Sequence, residues 1–316
     1  MIAKWMAAGT LAVAAAAAQG QPYPAKPIKV VVPYGPGTGV DVAARLLTTP
    51  LAAALGQAIV VENRPGAAGS VGTAYVANAP ADGYTLLVHA SSITSVPAYT
   101  PNVPYKMSEL RGVSIYADMT YVLVASAGSG IRTIRELVDT ARARPGALTF
   151  ASAGVGTGTY IGAEKLHIAT GMKVRHIPYK STTDALADVI AGRVDYGYTQ
   201  ITSAIGHINA GKLNALAISS VPSSVLPNVP PVSSIAPEAY YSLWMGLFAP
   251  AGTPDAIVRR LYQAVEKVRE TQTFRQALAK VGGEPMRHGP VETDDILGKE
   301  IKENADMVSR LGISPQ

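Results

Sequence analysis

The chain has 316 residues, no cysteine and a formal net charge of +5. The absence of cysteine excludes disulfides, thiolate metal sites and cysteine nucleophiles. The positive excess is modest and contains no Lys/Arg run of the kind that marks a nucleic-acid surface, so no nucleic-acid partner is expected.

Residues 1–20 read as an export signal. Lys4 is their only charge, and Met6 to Ala18 is built almost wholly of Ala, Leu, Val and Met. Such a run matches a signal-peptide apolar core and falls short of the ~20 residues that span a bilayer. The small residues Ala16 to Ala18, followed by Gln19-Gly20, place cleavage near Ala18 to Gly20. The mature chain of about 295 residues can bury a large core without disulfides. No later stretch is apolar enough to span a membrane, which predicts a soluble, exported, periplasmic protein.

Short Val/Ile-rich runs then alternate with helical patterns, the rhythm of an α/β protein with mainly parallel sheets. Strands are expected at Ile28 to Val32, Ala58 to Val61 and Tyr84 to His89, and two more between Val113 and Ser126, separated around Asp118. The first helix runs from Val40 to Leu55 and stops at Gly56; a short one covers Gly69 to Ala79. Thr133 and Glu136 form a capping box that starts a helix reaching Arg144. Further strands fall at Leu148 to Ser152, Val174 to Ile177, Val194 to Tyr198 and Leu213 to Ile218, with helices between them closed by Gly192 and Gly211. A proline-rich loop covers 221–237. Beyond it lie a strand from Leu243 to Ala249 and a helix from Pro254 to Glu270 with Thr253 as N-cap, then helices at about Thr273 to Val281 and Thr293 to Leu311.

Two Gly-rich turns, Pro33 to Asp41 and Ser152 to Thr159, each follow a strand and precede a helix. That placement aims free backbone amides and the positive end of a helix dipole at one point, which suits a carboxylate or phosphate oxygen. A dinucleotide fingerprint is the competing reading of Gly35, Gly37 and Gly39, but its last glycine is replaced by Val40. No cofactor is therefore expected. The nucleophile elbow G-x-S-x-G is absent, and the five histidines have no partner at metal-ligand spacing. No catalytic or metal residue is assigned, and the protein is not expected to be an enzyme. Arg64 and Lys180, each beside a turn, are candidates to pair a ligand carboxylate.

Seven motifs recur in a fixed order. They are Pro27 to Tyr34, the Gly turn ending at Asp41, Val61 to Ala67, Ala81 to Leu86, Pro178 to Lys180, Ala191 to Asp195 and Ala249 to Pro254. In this the chain resembles the Bug family, the extracytoplasmic solute-binding receptors of tripartite tricarboxylate transporters. The resemblance implies an α/β type II periplasmic-binding-protein fold, two α/β lobes joined by crossing hinge strands near Tyr121 to Ala125 and Leu243 to Ala249. The first lobe would be residues 21–119 plus 242–316 and the second 120–241. It further implies a monomer that closes on a small carboxylate and delivers it to the membrane subunits of the transporter. A periplasmic sensor feeding a membrane kinase would share this fold, and a periplasmic hydrolase is a more distant alternative.

Carried onto this sequence, the ligand residues are Tyr34, Gly37, Thr38, Gly39 and Asp41 in the first turn and Ser91 and Ser92 after the third strand. Ser152, Ala153, Gly154, Gly156, Thr157 and Thr159 form the second turn, and Tyr179 and Gln200 complete the set. The family often places an Asp after the position of Asp195 to read a ligand amine. Here Tyr198-Thr199-Gln200 stands there, and a neutral amide cannot pair an ammonium, so amino-acid ligands are disfavoured. Tyr34, Tyr160, Tyr179 and Tyr198 would line an apolar or aromatic end of the cleft.

Overall fold

A computed structural model describes residues 23–100 and 102–311. The expected signal segment, residues 1–20, lies outside the described residues.

Two sheets organise the chain. The first has the order β11-β4-β10-β3-β1-β2, from β1 (Ile28–Val32), β2 (Ile59–Asn63), β3 (Thr85–Ala90), β4 (Leu110–Asp118), β10 (Trp244–Pro250) and β11 (Glu284–His288). β1 is parallel to both neighbours, and β10 and β11 run antiparallel. The second has the order β7-β6-β8-β5-β9, from β5 (Tyr121–Ser126), β6 (Thr149–Ser152), β7 (Arg175–Pro178), β8 (Tyr196–Gln200) and β9 (Leu213–Ile218). β6 is parallel to β7 and β8, and β5 is antiparallel to β8 and β9. β1 reads as a near-continuous apolar run because both its faces are covered; Ile28, Val30, Val31 and Val32 are fully buried.

Helices α1 (Gly39–Leu55), α2 (Ser70–Ala77), α3 (Ser92–Tyr99), α8 (Asp255–Glu270), α9 (Gln272–Lys280) and α10 (Pro290–Leu311) accompany the first sheet. α4 (Ile134–Ala143), α5 (Gly158–Thr170), α6 (Thr182–Ile190) and α7 (Ile201–Asn209) accompany the second. Local chemistry sets most of their ends. Gly56 closes α1 in the left-handed conformation, and the Thr133/Glu136 capping box opens α4. α8 begins one residue later than expected. Pro254 has an extended ψ of 142°, so it caps the helix instead of entering it, and the buried Thr253 hydroxyl has no partner among the described residues.

Two elements were absent from the sequence reading. α3 carries Pro97 and no side-chain cap bond, and β11 is a half-exposed edge strand. The crossings also differ. The expected hinge segments form β5 and the bulk of β10, each hydrogen-bonded to a strand on both sides and therefore unable to bend freely. The chain instead passes between sheets at Met119–Thr120 and returns along 219–243. The two passages are tied together. Met119 N–H donates to Leu243 O (3.0 Å), Ser219 N–H to Tyr121 O (2.9 Å) and Tyr241 N–H to Ser219 O (2.9 Å).

Candidate functional site

The turn after β1 is built by its own side chains. Gly37 adopts φ +80°, a conformation that glycine enters without steric cost. Its N–H donates to Asp41 Oδ2 at 2.9 Å, Arg45 Nε donates to the same oxygen at 3.0 Å, and Asn63 Nδ2 reaches Asp41 Oδ1 and Tyr34 O, each at 2.9 Å. Burial pushes the Asp41 carboxyl up, but the bonds from Arg45, Gly37 and Asn63 outweigh it and hold the group below its ordinary range. Thr38 caps α1 and gives its own hydroxyl proton to Gly35 O (2.9 Å).

The turn after β6 repeats the device. Gly154 and Gly156 have φ of +109° and +80°. Gly154 N–H donates to Ser152 Oγ (3.0 Å), Ala153 N–H to Thr159 Oγ1 (3.0 Å), and the Thr157 hydroxyl to Gly154 O (2.7 Å). Asp41, Thr38, Ser152, Thr157 and Thr159 therefore spend hydrogen-bonding capacity on the shape of their turns. The helix-opening amides of Gly39 and Val40 in one turn, and of Gly158 and Thr159 in the other, have no partner among the described residues.

Each turn faces the other sheet's half of the chain. A Cβ on Gly39 would lie 3.1 Å from Gln200 Nε2, at the end of β8. One on Gly156 would lie 3.2 Å from Tyr99 Cβ on α3, whereas one on Gly158 would meet its own half of the chain, 2.9 and 3.0 Å from the Tyr121 and Tyr241 hydroxyls. Tyr34 donates or accepts with Ser92 Oγ at 2.9 Å and rests edge-on against His89 (5.4 Å). Tyr121 and Tyr241 stack 6.3 Å apart. Burial and the neighbouring Tyr34 both raise the Tyr121 phenol. Burial drops His89 to about 4, so it is neutral at pH 7.

Ser91, Tyr99 and Tyr198 present buried hydroxyls without partners. Tyr179 does not join them, because its hydroxyl donates to Asp188 Oδ2 at 2.6 Å. Tyr160 packs beside Phe150 and His176 in the core of the second half. Arg64 is bound to Glu62 and stacks 3.7 Å over Tyr75, and Lys180 is exposed. Asn63, overlooked as a functional position, is the residue that fastens the first turn to β2; its place in the Val61-to-Ala67 motif was the available signal.

Ser152 Oγ lies 2.6 Å from His176 Nε2, a nucleophile–base spacing, but Ser152 is fully buried and its oxygen already accepts the Gly154 amide. Among the described residues no three His, Asp or Glu side chains could hold a metal, and no helix is long and apolar enough to cross a membrane. A cavity of about 860 Å³ lies between α5, α3 and α10; of the expected ligand residues it is lined by Ser91 alone.

The description "Tripartite tricarboxylate transporter family receptor" matches residues 43–313. BugT of Bordetella pertussis (strain Tohama I) is 35% identical over 94% of this chain and 93% of its own. MatC from Rhodopseudomonas palustris, solved with bound malate, is 30% identical with a TM-score of 0.72, over 90% of this chain and all of that one. An R. palustris protein solved with adipate is 26% identical with a TM-score of 0.77, over 93% of this chain and all of that one. The two sheets are thus the cores of two lobes of a type II-like periplasmic-binding-protein fold. The chain belongs to the tripartite tricarboxylate transporter receptors, the TctC or Bug family of solute-binding proteins.

Proposed function

We propose that this receptor captures a small carboxylate between its lobes in the periplasm and hands it to the membrane subunits of a tripartite tricarboxylate transporter. One observation carries the reading: each lobe ends a parallel strand in a Gly turn whose helix-opening amides have no partner among the described residues, with Gly39 of one turn beside Gln200 and Gly156 of the other beside Tyr99 of the opposite lobe. The donors are neutral amides and hydroxyls. They hold an anion through dipoles and hydrogen bonds without a fixed counter-charge, which gives affinity together with release.

The lobes are residues 21–119 with 242–316, and 120–241; the signal segment is cleaved near Ala18 to Gly20, and the mature protein is a monomer. The amides of Gly39, Val40, Gly158 and Thr159 meet one carboxylate. Tyr34, Ser92, Tyr198 and Gln200 read the remainder, while Asp41, Asn63, Ser152, Thr157 and Thr159 hold the turns in shape. The protein does no chemistry on its ligand. The malate and adipate bound by relatives support a carboxylate as the ligand.

Isothermal calorimetry on the mature protein with malate, adipate, benzoate, aspartate and glutamate tests the reading. Saturable binding of at least one of the three non-amino acids, with aspartate and glutamate weaker, is expected. Tight binding of aspartate or glutamate and none of the others overturns the assignment of Gln200.

A further inference from the structure

The cavity of about 860 Å³ is walled by Ile161 and Ile168 of α5, Trp244 of β10, Met307 of α10, and Tyr240 and Tyr241 of the returning passage. Its sides come from both lobes. Glu300 of α10 is set into the wall. Trp244 Nε1 donates to Glu300 Oε1 at 2.8 Å, and Thr94 Oγ1 lies 3.0 Å from Oε2. Both partners are neutral. The nearby Lys165 is committed to Glu303 at 2.9 Å, and the exposed Lys299 also leans on Glu303. Glu300 therefore has no cation of its own among the described residues. The buried Ser91 hydroxyl lines the same cavity and has no hydrogen-bond partner among the described residues.

We propose that this cavity is a second ligand site, separate from the carboxylate cleft, and that it takes an organic cation: an ammonium on a small apolar body, with its charge on Glu300. The ammonium supplies the missing counter-charge and donates to Ser91 Oγ, and the aromatic lining of Trp244, Tyr240 and Tyr241 favours a cation with an apolar body. Burial lifts the Glu300 carboxyl to about 7; the bonds from Trp244 and Thr94 and the charge of Lys165 oppose the rise, and Glu303 adds to it. At neutral pH a proton takes the place that the cation would fill. Besides Lys165 and Glu303, the other titratable groups on this wall are Glu238, Tyr240, Tyr241, His288, Lys299, Asp306 and the exposed Arg310. An occupant touches α5 of one lobe and α3, β10 and α10 of the other, so its binding and that of the cleft ligand must change each other by the same factor.

The test is calorimetry at pH 8 with benzylammonium chloride, and with benzyl alcohol as its uncharged counterpart. Benzylammonium is expected to bind at one saturable site and the alcohol about tenfold more weakly or worse, as befits a charged hydrogen bond. Glu300→Gln should lose about tenfold or more in benzylammonium affinity. Ile168→Trp, at the partly exposed mouth, should weaken benzylammonium and alcohol alike. Near pH 7 binding should release protons to the buffer. Absent benzylammonium binding, equal binding of the alcohol, or undiminished benzylammonium affinity in a folded Glu300→Gln protein overturns the proposal. None of these results bears on the carboxylate cleft, which is probed with acids.

Discussion

Ser242 Oγ donates to Asp118 Oδ2 at 2.5 Å and thereby joins the end of β4 to the returning passage, at the point where the chain crosses between lobes. Thr120 gives its hydroxyl to the other carboxyl oxygen at 2.9 Å, and Ser220 lies 3.3 Å from Thr120. Ser242→Ala removes one of these donors from a fully buried carboxyl and should cost about 1–3 kcal/mol in urea unfolding. Burial raises the Asp118 carboxyl despite these hydrogen bonds. A raised folded value means that its stabilising share is complete below the ordinary Asp range and lost as pH rises through the folded value. Asp118→Asn should flatten that part of the stability–pH curve.

Glu300 should act in the same direction over a defined window. Its folded value of about 7 stands above the ordinary 4.5, so stability should fall as pH rises from about 4.5 through 7. Glu300→Gln should reduce that fall, read as the difference in thermal midpoint between pH 5 and pH 8. An unchanged difference between the two pH values would contradict the assignment.

Asp41 has the opposite sign. Its carboxyl is held below its ordinary value, so the stability it confers is present above that value and is lost as pH falls through the folded one. Asp41→Ala should cost about 1.5–3 kcal/mol at neutral pH, remove this acid-side dependence and loosen the first turn. Denaturant unfolding at pH 7 and pH 3.5 measures the first two effects, and carboxylate calorimetry measures the third.

Gly158 sits where its own lobe leaves no room. A valine there would place Cβ within 2.9–3.0 Å of two tyrosine hydroxyls, one on β5 and one on the returning passage. Overpacking of this kind costs about 1–3 kcal/mol, so Gly158→Val should bind its carboxylate about ten- to a hundredfold more weakly. Small-angle scattering should show the wild-type protein compacting with ligand, and the variant doing so only at correspondingly higher ligand concentration.

The Lys165–Glu303 pair, 2.9 Å long, spans the two lobes. Glu303 is exposed enough for solvent to screen it. Lys165→Met should therefore alter carboxylate affinity by less than about fivefold, the ~1 kcal/mol ceiling of such a pair. A larger loss would make this contact a principal clasp of the closed form.

Much of the backbone was legible because its determinants are local. The stop at Gly56, the Thr133/Glu136 box and the apolar run of β1 act within a few residues. α3 and β11 were not legible. One lacks a cap signature and carries Pro97, and the other becomes a strand only because β4 offers it an edge. The two turns were found from glycine spacing, but spacing does not show which polar atoms a turn spends on itself. Tyr179 was expected in the cleft and instead bonds Asp188, a partner on the next helix.

By itself the sequence determined the strand–helix alternation and the two Gly-rich turns, because periodicity and glycine spacing are properties of contiguous residues. Only the tertiary structure decided that Gly39 meets Gln200, that Tyr121 stacks on Tyr241, and that Glu300 faces Trp244 and Thr94. These partners stand 56 to 206 residues apart. What pairs them is the packing of two sheets around one doubled crossing, and no local pattern encodes that.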